Sequence, residues 1–251
     1  MKRFLSLILI AMAMTSCQED VKFNNPGFQG LKDDVLWIAN DTRAYLSGSG
    51  QLSIEAYTQF ELITLNTNSA NVGTYILGTT NSNNLATYSS TFNDVDLEYA
   101  TVPVSGPVSN VQIVNIGSGY TSDCTIQSGG GYNCSSSHET TGGSGSGLRV
   151  AIVANTAGAV TSVVRVTARG NGYLPGDIVT VAQGNVNCQL RILSTLNSNG
   201  EIQITEYDNE NMTVSGKFKF NATNTNSSPF ANPILNFQYG EFYKIPIFPS
   251  L

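Results

Sequence analysis

The chain has 251 residues, of which 12 are Lys or Arg and 18 are Asp or Glu, giving a formal charge of −6 at neutral pH. An acidic chain without a basic cluster lacks the electrostatic footprint that phosphate backbones bind, so we expect no nucleic-acid partner. The hydrophobic fraction of 41% is enough for a packed core and excludes disorder throughout the chain.

The amino terminus has the pattern of a bacterial lipoprotein signal peptide. Lys2 and Arg3 precede an apolar run over residues 4–14 that is too short to span a bilayer. Two small residues then stand directly before Cys17, and this ending resembles the lipobox, in which the cysteine is lipidated and becomes the first mature residue. The resemblance implies a membrane anchor on Cys17. The alternative is an ordinary signal peptide that is cut near Ala13.

The residues after the cysteine predict a tether and a location. Removal of residues 1–16 leaves 10 basic and 18 acidic side chains, a formal charge of −8. The acidic residues within 18–20 resemble the export signal that places lipoproteins of Bacteroidota on the outer face of the outer membrane. That resemblance implies a cell-surface position, and an outer-membrane position facing the periplasm is the alternative. Residues 17–34 offer little to bury and predict a tether.

From residue 35 onward the pattern predicts one strand after another and no helix. Apolar and polar residues alternate over residues 52–57, and further apolar segments are bounded by Asn, Ser, Thr or Gly. The most regular strand covers residues 212–222, with an apolar face and a polar face. Residues 200–205 predict its hairpin partner, with the turn at 208–211. The expected fold class is all-β, either a β-sandwich or an open barrel.

Short blocks within the segments 35–102 and 195–248 carry a family resemblance. They are residues 37–39, 73–77, 202–205, 214–220 and 240–242, together with Tyr88 and Tyr99. As a set, they resemble the recurring blocks of a Bacteroidota lipoprotein family that is known only as a domain of unknown function. The resemblance implies a β fold and an envelope location, and it brings no catalytic residues.

Residues 104–193 interrupt this pattern with an internal repeat of about 53 residues. The equivalent segments are 106–111 and 158–163, 117–120 and 170–173, and 123–134 and 177–188. Each copy contains Gly-x-Gly-Tyr, in which the glycines permit a tight turn, and the absence of a following helix argues against a nucleotide site. The module resembles Gly-x-Gly-Tyr repeats of phage tail and other extracellular fibre proteins, which implies a spacer or an adhesive module.

These patterns together predict the organisation of the chain. The expected parts are a signal peptide at 1–16, a tether at 17–34, a discontinuous β-sandwich domain at 35–103 and 194–251, and an inserted repeat module at 104–193. Within the module, the Gly and Ser content of residues 135–147 predicts a flexible linker.

Three cysteines follow Cys17, and their odd number leaves one thiol free or paired outside the chain. A bridge between Cys124 and Cys134 would close a short loop across a glycine turn. A bridge between Cys134 and Cys188 is the alternative, because the two residues occupy equivalent positions in the repeat.

The sequence predicts no enzyme, no cofactor and no catalytic residue. His138 is the only histidine and falls in the predicted linker, which offers no rigid shell for a catalytic base. Two ladders of alternate carboxylates are either solvated hairpin ends or oxygen ligands for calcium. These weak calcium candidates are Asp94, Asp96, Glu98, Glu206, Asp208 and Glu210.

Tyr120, Tyr132 and Tyr173 lie in polar, glycine-rich segments. An exposed tyrosine ring can stack on a sugar, and the alternative is that each ring covers its own turn. The first function hypothesis is therefore a non-enzymatic surface binding or adhesion protein, with a glycan as ligand. The second is a structural or accessory envelope lipoprotein that faces the periplasm and contacts other envelope proteins.

Overall fold

The structure is a computed structural model that describes residues 27–249, and this part of the chain is all-β, which confirms the predicted class. The first eight strands are β1 (Gly27–Lys32), β2 (Val35–Ile38), β3 (Asp41–Leu46), β4 (Leu52–Tyr57), β5 (Glu61–Thr67), β6 (Gly73–Leu77), β7 (Leu85–Phe92) and β8 (Val95–Ala100). The next eight are β9 (Val108–Asn115), β10 (Cys124–Ile126), β11 (Tyr132–Cys134), β12 (His138–Thr141), β13 (Ser146–Ala154), β14 (Val160–Asn171), β15 (Ile178–Val181) and β16 (Gln189–Thr195). The last three are β17 (Asn199–Asp208), β18 (Thr213–Asn224) and β19 (Ile234–Pro249).

The first eight strands and the last three form one eleven-stranded sheet, and seven of these strands pair in a closed ring. β3, β4, β5, β7 and β8 are successive antiparallel neighbours, and β8 pairs with β18. β18 pairs with β19, which returns to β3 as a parallel neighbour. β1 and β2 extend from β19, while β17 and β6 extend from β18. The sheet is sandwich-like or barrel-like, as predicted, and its closed part has an interior.

The interior is filled by one face of each strand. β4 alternates between fully buried and half-buried residues, and β18 buries the apolar face that its sequence predicts. The predicted hairpin of β17 and β18 is confirmed. Aromatic rings dominate one side of the core, where the ring centroid of Phe218 lies 4.8 Å from that of Phe28 and 5.9 Å from that of Phe237.

Two β-bulges bend β19, the longest strand at 16 residues, so that it can change partners. The register with β18 shifts around Tyr239 and again around Lys244, whose φ angles are 51° and 50°. Beyond the second bulge, the strand pairs with β3. Gly240 beside the first bulge has no room for a side chain, because a Cβ there would lie 2.5 Å from the ring of Phe218.

The prediction of a tether at 17–34 is wrong for its second half. Residues 27–32 form β1, which pairs with both β19 and β2, and Phe28 is 1% exposed. The inner face of this strand carries a single large apolar residue, Phe28. The glycine and polar residues around it therefore give no clear strand pattern in the sequence. Residues 17–26, including Cys17, lie outside the described residues, as do the predicted signal peptide and residues 250–251.

Strands β9 and β12–β16 form a separate, nearly closed six-stranded sheet with its own core. The two repeat copies exchange partners: β9 of the first copy pairs with β16, and β14 of the second copy pairs with β13. Reciprocal backbone bonds join the copies, since the N–H of Tyr120 donates to Gly158 and that of Tyr173 donates to Gly106. Each copy therefore completes the structure of the other.

The prediction of a flexible linker at 135–147 is also wrong. The segment contains β12 and the start of β13, and His138 within it is 3% exposed. Gly142 and Gly143 have φ angles of 90° and 73° and form the turn between these strands. The glycines thus serve a defined turn, which composition alone does not distinguish from a linker.

The two connections between the large sheet and the repeat segment lie side by side. The hydroxyl of Thr195 donates to the carbonyl of Val104 at 2.9 Å, and the side-chain amide of Asn197 donates to the carbonyl of Ser105 at 2.8 Å. The predicted domain boundaries fall close to these contacts, and the division into independently folding parts stays a prediction.

Candidate ligand-binding cleft

An open cleft of about 600 Å³ lies beside β5, β7 and β8 of the large sheet. Glu61 on β5 and Ser90 on β7 continue the rows of buried residues that fill the interior of the ring. Leu97 does the same on β8. The cleft is therefore the solvent-accessible end of the core, where inward-facing side chains contact solvent.

Three phenylalanines form the rim of the cleft. Phe60 is 46% exposed, Phe92 52% and Phe230 76%. The rings of Phe60 and Phe92 meet edge to face with centroids 5.1 Å apart. Burying such rings is favourable, so three exposed rings around one concavity form an unpartnered apolar surface.

The polar part of the cleft is a network centred on the carboxylate of Glu61. Its Oε1 accepts hydrogen bonds from the Nζ of Lys32 and the hydroxyl of Tyr88. Its Oε2 accepts one from the indole N–H of Trp37 at 2.6 Å and a longer one from the hydroxyl of Thr58 at 3.4 Å. The carboxylate is thus saturated with donors.

The ammonium group of Lys32 is less completely satisfied. It donates to Glu61 and, at 3.0 Å, to the hydroxyl oxygen of Tyr88, and it lies 4.9 Å from the centroid of the Tyr88 ring. Within residues 27–249 its third N–H has no hydrogen-bond partner. The side chain of Lys32 retains 26% exposure and lines the cleft, so this N–H can serve a ligand.

The pKa values show that the network favours the charged forms of Glu61 and Lys32 and the neutral form of Tyr88. Burial raises the pKa of Glu61, but hydrogen bonds from Lys32, Tyr88 and Trp37 outweigh burial and leave the pKa below its ordinary value of 4.5. Burial lowers the pKa of Lys32, but its contacts with Glu61 and Tyr88 leave it above 10.5. Burial and the bond to Glu61 raise the pKa of Tyr88. Lys32, Glu61 and Tyr88 form the floor of the cleft. At neutral pH this floor therefore holds an ion pair whose two charges compensate each other.

A second, smaller depression lies on the outer face of β17–β19 around Tyr239. Its volume is about 360 Å³, and its charged side chains form pairs with one another, Lys217 with Glu241 and Lys219 with Glu201. These pairs are exposed to solvent and structurally weak. This surface lacks the buried polar network of the cleft.

The prediction that Tyr120 and Tyr173 stack on a ligand is wrong. The two residues are 3% and 1% exposed, because each Gly-x-Gly turn directs its tyrosine into the core of the repeat sheet. The hydroxyl of Tyr120 donates to Val181 and accepts the N–H of Cys188 at 3.0 Å. Tyr132 on β11 is 42% exposed, and its role as a stacking residue stays a prediction.

The cysteines are arranged as a local bridge and a free thiol. Cys124 and Cys134 face each other on β10 and β11 and form a disulfide. Cys188 is free and buried, and burial raises its pKa to about 11. The alternative bridge between Cys134 and Cys188 is therefore wrong.

The calcium candidates are not brought together. Among residues 27–249, no three His, Cys, Asp or Glu side chains lie close enough to hold a metal ion. Asp208 instead accepts backbone N–H groups of Glu210 and Asn211, which organise the β17–β18 turn. The other candidates are exposed residues of β8, its preceding turn, β17 and its following turn: Asp94, Asp96, Glu98, Glu206 and Glu210.

His138 packs inside the repeat sheet. Its Nδ1 lies 3.0 Å from the carbonyl oxygen of Ala182, and its Nε2 lies 3.4 Å from Asp123, which is equally buried. Asp123 also accepts the backbone N–H of Ile152 at 2.9 Å. His138 on β12 therefore contacts two other segments of the repeat sheet, at Ala182 and Asp123, and it does not lie in a linker.

The cleft residues were missed in the sequence, although a pattern pointed to two of them. Glu61 is in phase with the buried Ile63 and Leu65, and Lys32 is in phase with Phe28. A charged residue at a position that alternation assigns to the interior requires a partner. Phe230 lies in the loop before β19 and has no comparable pattern.

The structure thus defines an all-β protein with an amphipathic cleft at one end of a closed sheet. Its family is given by a domain model described as "Domain of unknown function (DUF6252)", which matches residues 24–141 and 153–246. The chain belongs to this family. No curated protein and no solved structure matches it. Residues 27–249 contain no helix with the length and apolar character needed to cross a membrane.

Proposed function

We propose that this protein is a non-enzymatic binding protein whose cleft receives a small amphipathic ligand. The observation that carries the proposal is the combination of three exposed phenylalanines with a half-buried polar network in one concavity. Ligand sites are typically concave, mostly apolar and supplied with a few fixed polar groups, and the mouths of β-barrels are common places for them. The volume falls within the roughly 300–1,000 Å³ of such sites.

Binding is favoured over catalysis by the state of the polar groups. The carboxylate of Glu61 has four donors around it and a lowered pKa, so it is poorly suited to accept a proton from a substrate. Lys32 is held charged by its contacts, so it is a poor nucleophile. Both residues are suited to orienting a ligand.

The proposed location is the outer membrane, with a lipid on Cys17 and the domain on the cell surface. The support is the amino-terminal pattern and the acidic residues that follow it. Protease treatment of intact cells, with lysed cells as control, tests the location. Cleavage on intact cells is expected, and protection until lysis would favour the periplasm-facing alternative with an envelope-protein partner.

A glycan stays the predicted ligand of the repeat module, but Tyr132 is the one exposed stacking candidate among the three tyrosines. We therefore propose the cleft as the principal ligand site.

Binding in the cleft can be tested with N-phenyl-1-naphthylamine, an uncharged dye whose fluorescence rises in apolar sites. The wild type is expected to bind the dye, and Phe60→Ala is expected to weaken binding. Phe248→Ala is a matched control, because Phe248 is also 46% exposed but lies on β19 outside the cleft. Equal loss in both variants, or no dye binding by the wild type, would contradict the proposal.

A further inference from the structure

The polar floor of the cleft is built around one ion pair. Lys32 and Glu61 form an ion pair with side chains 26% and 20% exposed, and each holds the other in its charged form. Within residues 27–249, no other Lys, Arg, Asp or Glu lines the cleft. The floor therefore carries two opposite charges and no net charge.

The hydrogen-bonding capacity that remains on the ion pair is that of a donor. The oxygens of Glu61 are already occupied by Lys32, Tyr88, Trp37 and Thr58. Lys32 keeps one N–H without a partner within residues 27–249, while Ser90 and Asn93, which also line the cleft, can both donate and accept. A ligand that reaches the ion pair is therefore met by a donor, the spare N–H of Lys32.

A charged head group would be penalised at this position. A carboxylate would lose its water without gaining a counter-charge, because Glu61 already compensates Lys32. A cationic head has no free acceptor on Glu61 and would face the ammonium group of Lys32. An uncharged oxygen acceptor, such as the carbonyl of an amide or ester, satisfies the spare N–H at a much smaller desolvation cost.

We propose that the cleft selects amphipathic ligands with an uncharged, oxygen-accepting head group and an apolar body. The head accepts a hydrogen bond from Lys32, and the apolar body lies against Phe60, Phe92 and Phe230. This inference rests on the proposed function of the cleft as a ligand site.

Three eight-carbon amphiphiles below their critical micelle concentrations test the inference: octanamide, octanoate and octylammonium. Octanamide and octanoate have nearly the same shape, so their difference in affinity measures the charge of the head. Calorimetric titration of the full-length protein at neutral pH is expected to show octanamide binding on the order of tenfold tighter than either ion.

Glu61→Gln should change this order, because it leaves the charge of Lys32 uncompensated while keeping the size of the side chain. The variant is expected to prefer octanoate to octanamide. Lys32→Gln is the complementary variant and should improve the binding of octylammonium relative to octanoate. Circular dichroism must show that each variant is folded before its affinities are compared, and the wild-type order alone remains decisive if neither folds.

The outcomes separate the inference from the function on which it rests. If none of the three amphiphiles binds the wild type, both are overturned. If octanoate or octylammonium binds as tightly as octanamide, the head-group inference is overturned and the binding function stands. An octanamide preference that persists unchanged in folded Glu61→Gln would also overturn the role of the ion pair.

Discussion

At the scale of single residues, Glu61 gathers donors from three separate strands. Lys32 comes from β1, Trp37 from β2 and Tyr88 from β7, and all of them donate to one carboxylate. Partial burial makes each of these bonds stronger than it would be in water and makes their loss more costly. The network therefore ties β1 and β2 to the ring while it shapes the floor of the cleft.

Glu61→Gln is expected to lower the free energy of unfolding at neutral pH by about 1–2 kcal/mol, since the network is only partly buried. The folded pKa of Glu61 lies below 4.5, so its contribution to stability is present above that pH and is lost as the pH falls through the folded value. The difference between wild type and variant should therefore shrink in acid. Urea denaturation across the acidic range measures it.

Glu201→Gln is the control for this experiment, because Glu201 belongs to a solvent-exposed pair with Lys219. Its effect should be near zero at every pH. A difference between Glu61→Gln and wild type that stays constant down to strongly acidic pH would contradict the assignment.

A second prediction at the residue scale concerns the buried tyrosines of the repeat module. Tyr120→Phe removes a hydroxyl that contacts Val181, Asn187 and Cys188, and it leaves these buried groups without a partner. A loss of about 1–3 kcal/mol is expected in thermal or chemical unfolding. Tyr173→Phe is the matched control, because its hydroxyl makes one longer contact of 3.4 Å with Leu148 and should cost less. Equal losses would contradict this account.

The tyrosines also show a limit of sequence analysis at this scale. A ring within Gly, Ser and Asn residues has the composition of an exposed loop, yet the direction of the side chain depends on the turn conformation. The partner of the turn comes from the other repeat copy, as in the bond from Tyr120 to Gly158. Local composition therefore predicts neither the direction of the tyrosine side chain nor the partner of its turn.

At the scale of elements, β19 determines whether the large sheet can close. The bulges at Tyr239 and Lys244 bend it between its partners, and the close approach of Gly240 to Phe218 fixes the first bulge against the core. On one edge, the strand pairs with β1 up to Tyr243 and with β3 from Ile247, while on its other edge it stays paired with β18.

Gly240→Ala is expected to destabilise the protein by about 1–3 kcal/mol, because its Cβ would overlap the Phe218 ring in a packed core. Gly48→Ala is the control, since a Cβ there meets nothing within 4 Å. Differential scanning calorimetry of the two variants measures the effect. Similar melting temperatures for both would show that the bulge tolerates a side chain.

Element prediction succeeded where apolar and polar residues alternate regularly and failed where glycine and polar residues interrupt the alternation. β17 and β18 are 10 and 12 residues long and were predicted with their pairing. β1 and β12 are 6 and 4 residues long, and glycine or polar residues within and around them suggested a tether and a linker. Their strand conformation is decided by long-range partners, β19 for β1 and β13 and β15 for β12.

At the scale of the whole molecule, the chain leaves the large sheet after β8 and returns at β17. The contacts of Val104 with Thr195 and of Ser105 with Asn197 bring these crossing points together. The large sheet and the repeat module have separate hydrophobic cores. We therefore expect the large sheet to fold without the repeat module.

A variant that joins Pro103 directly to Ser194 is therefore expected to fold, with a cooperative unfolding transition and binding of the naphthylamine dye retained. Chemical denaturation followed by tryptophan fluorescence is suitable, because Trp37 lies in the core of the large sheet. Loss of cooperative unfolding would contradict the two-part organisation.

The cleft beside Phe60, Phe92 and Phe230 is proposed as the ligand site, and chemical-shift mapping tests this assignment most directly. Isotope-labelled protein would be titrated with octanamide, and the perturbed resonances assigned to residues. Saturable shifts concentrated at the three phenylalanines, Lys32 and Glu61 are expected. Shifts confined to the repeat module or to the outer face around Tyr239, or no saturable shifts at all, would contradict the claim.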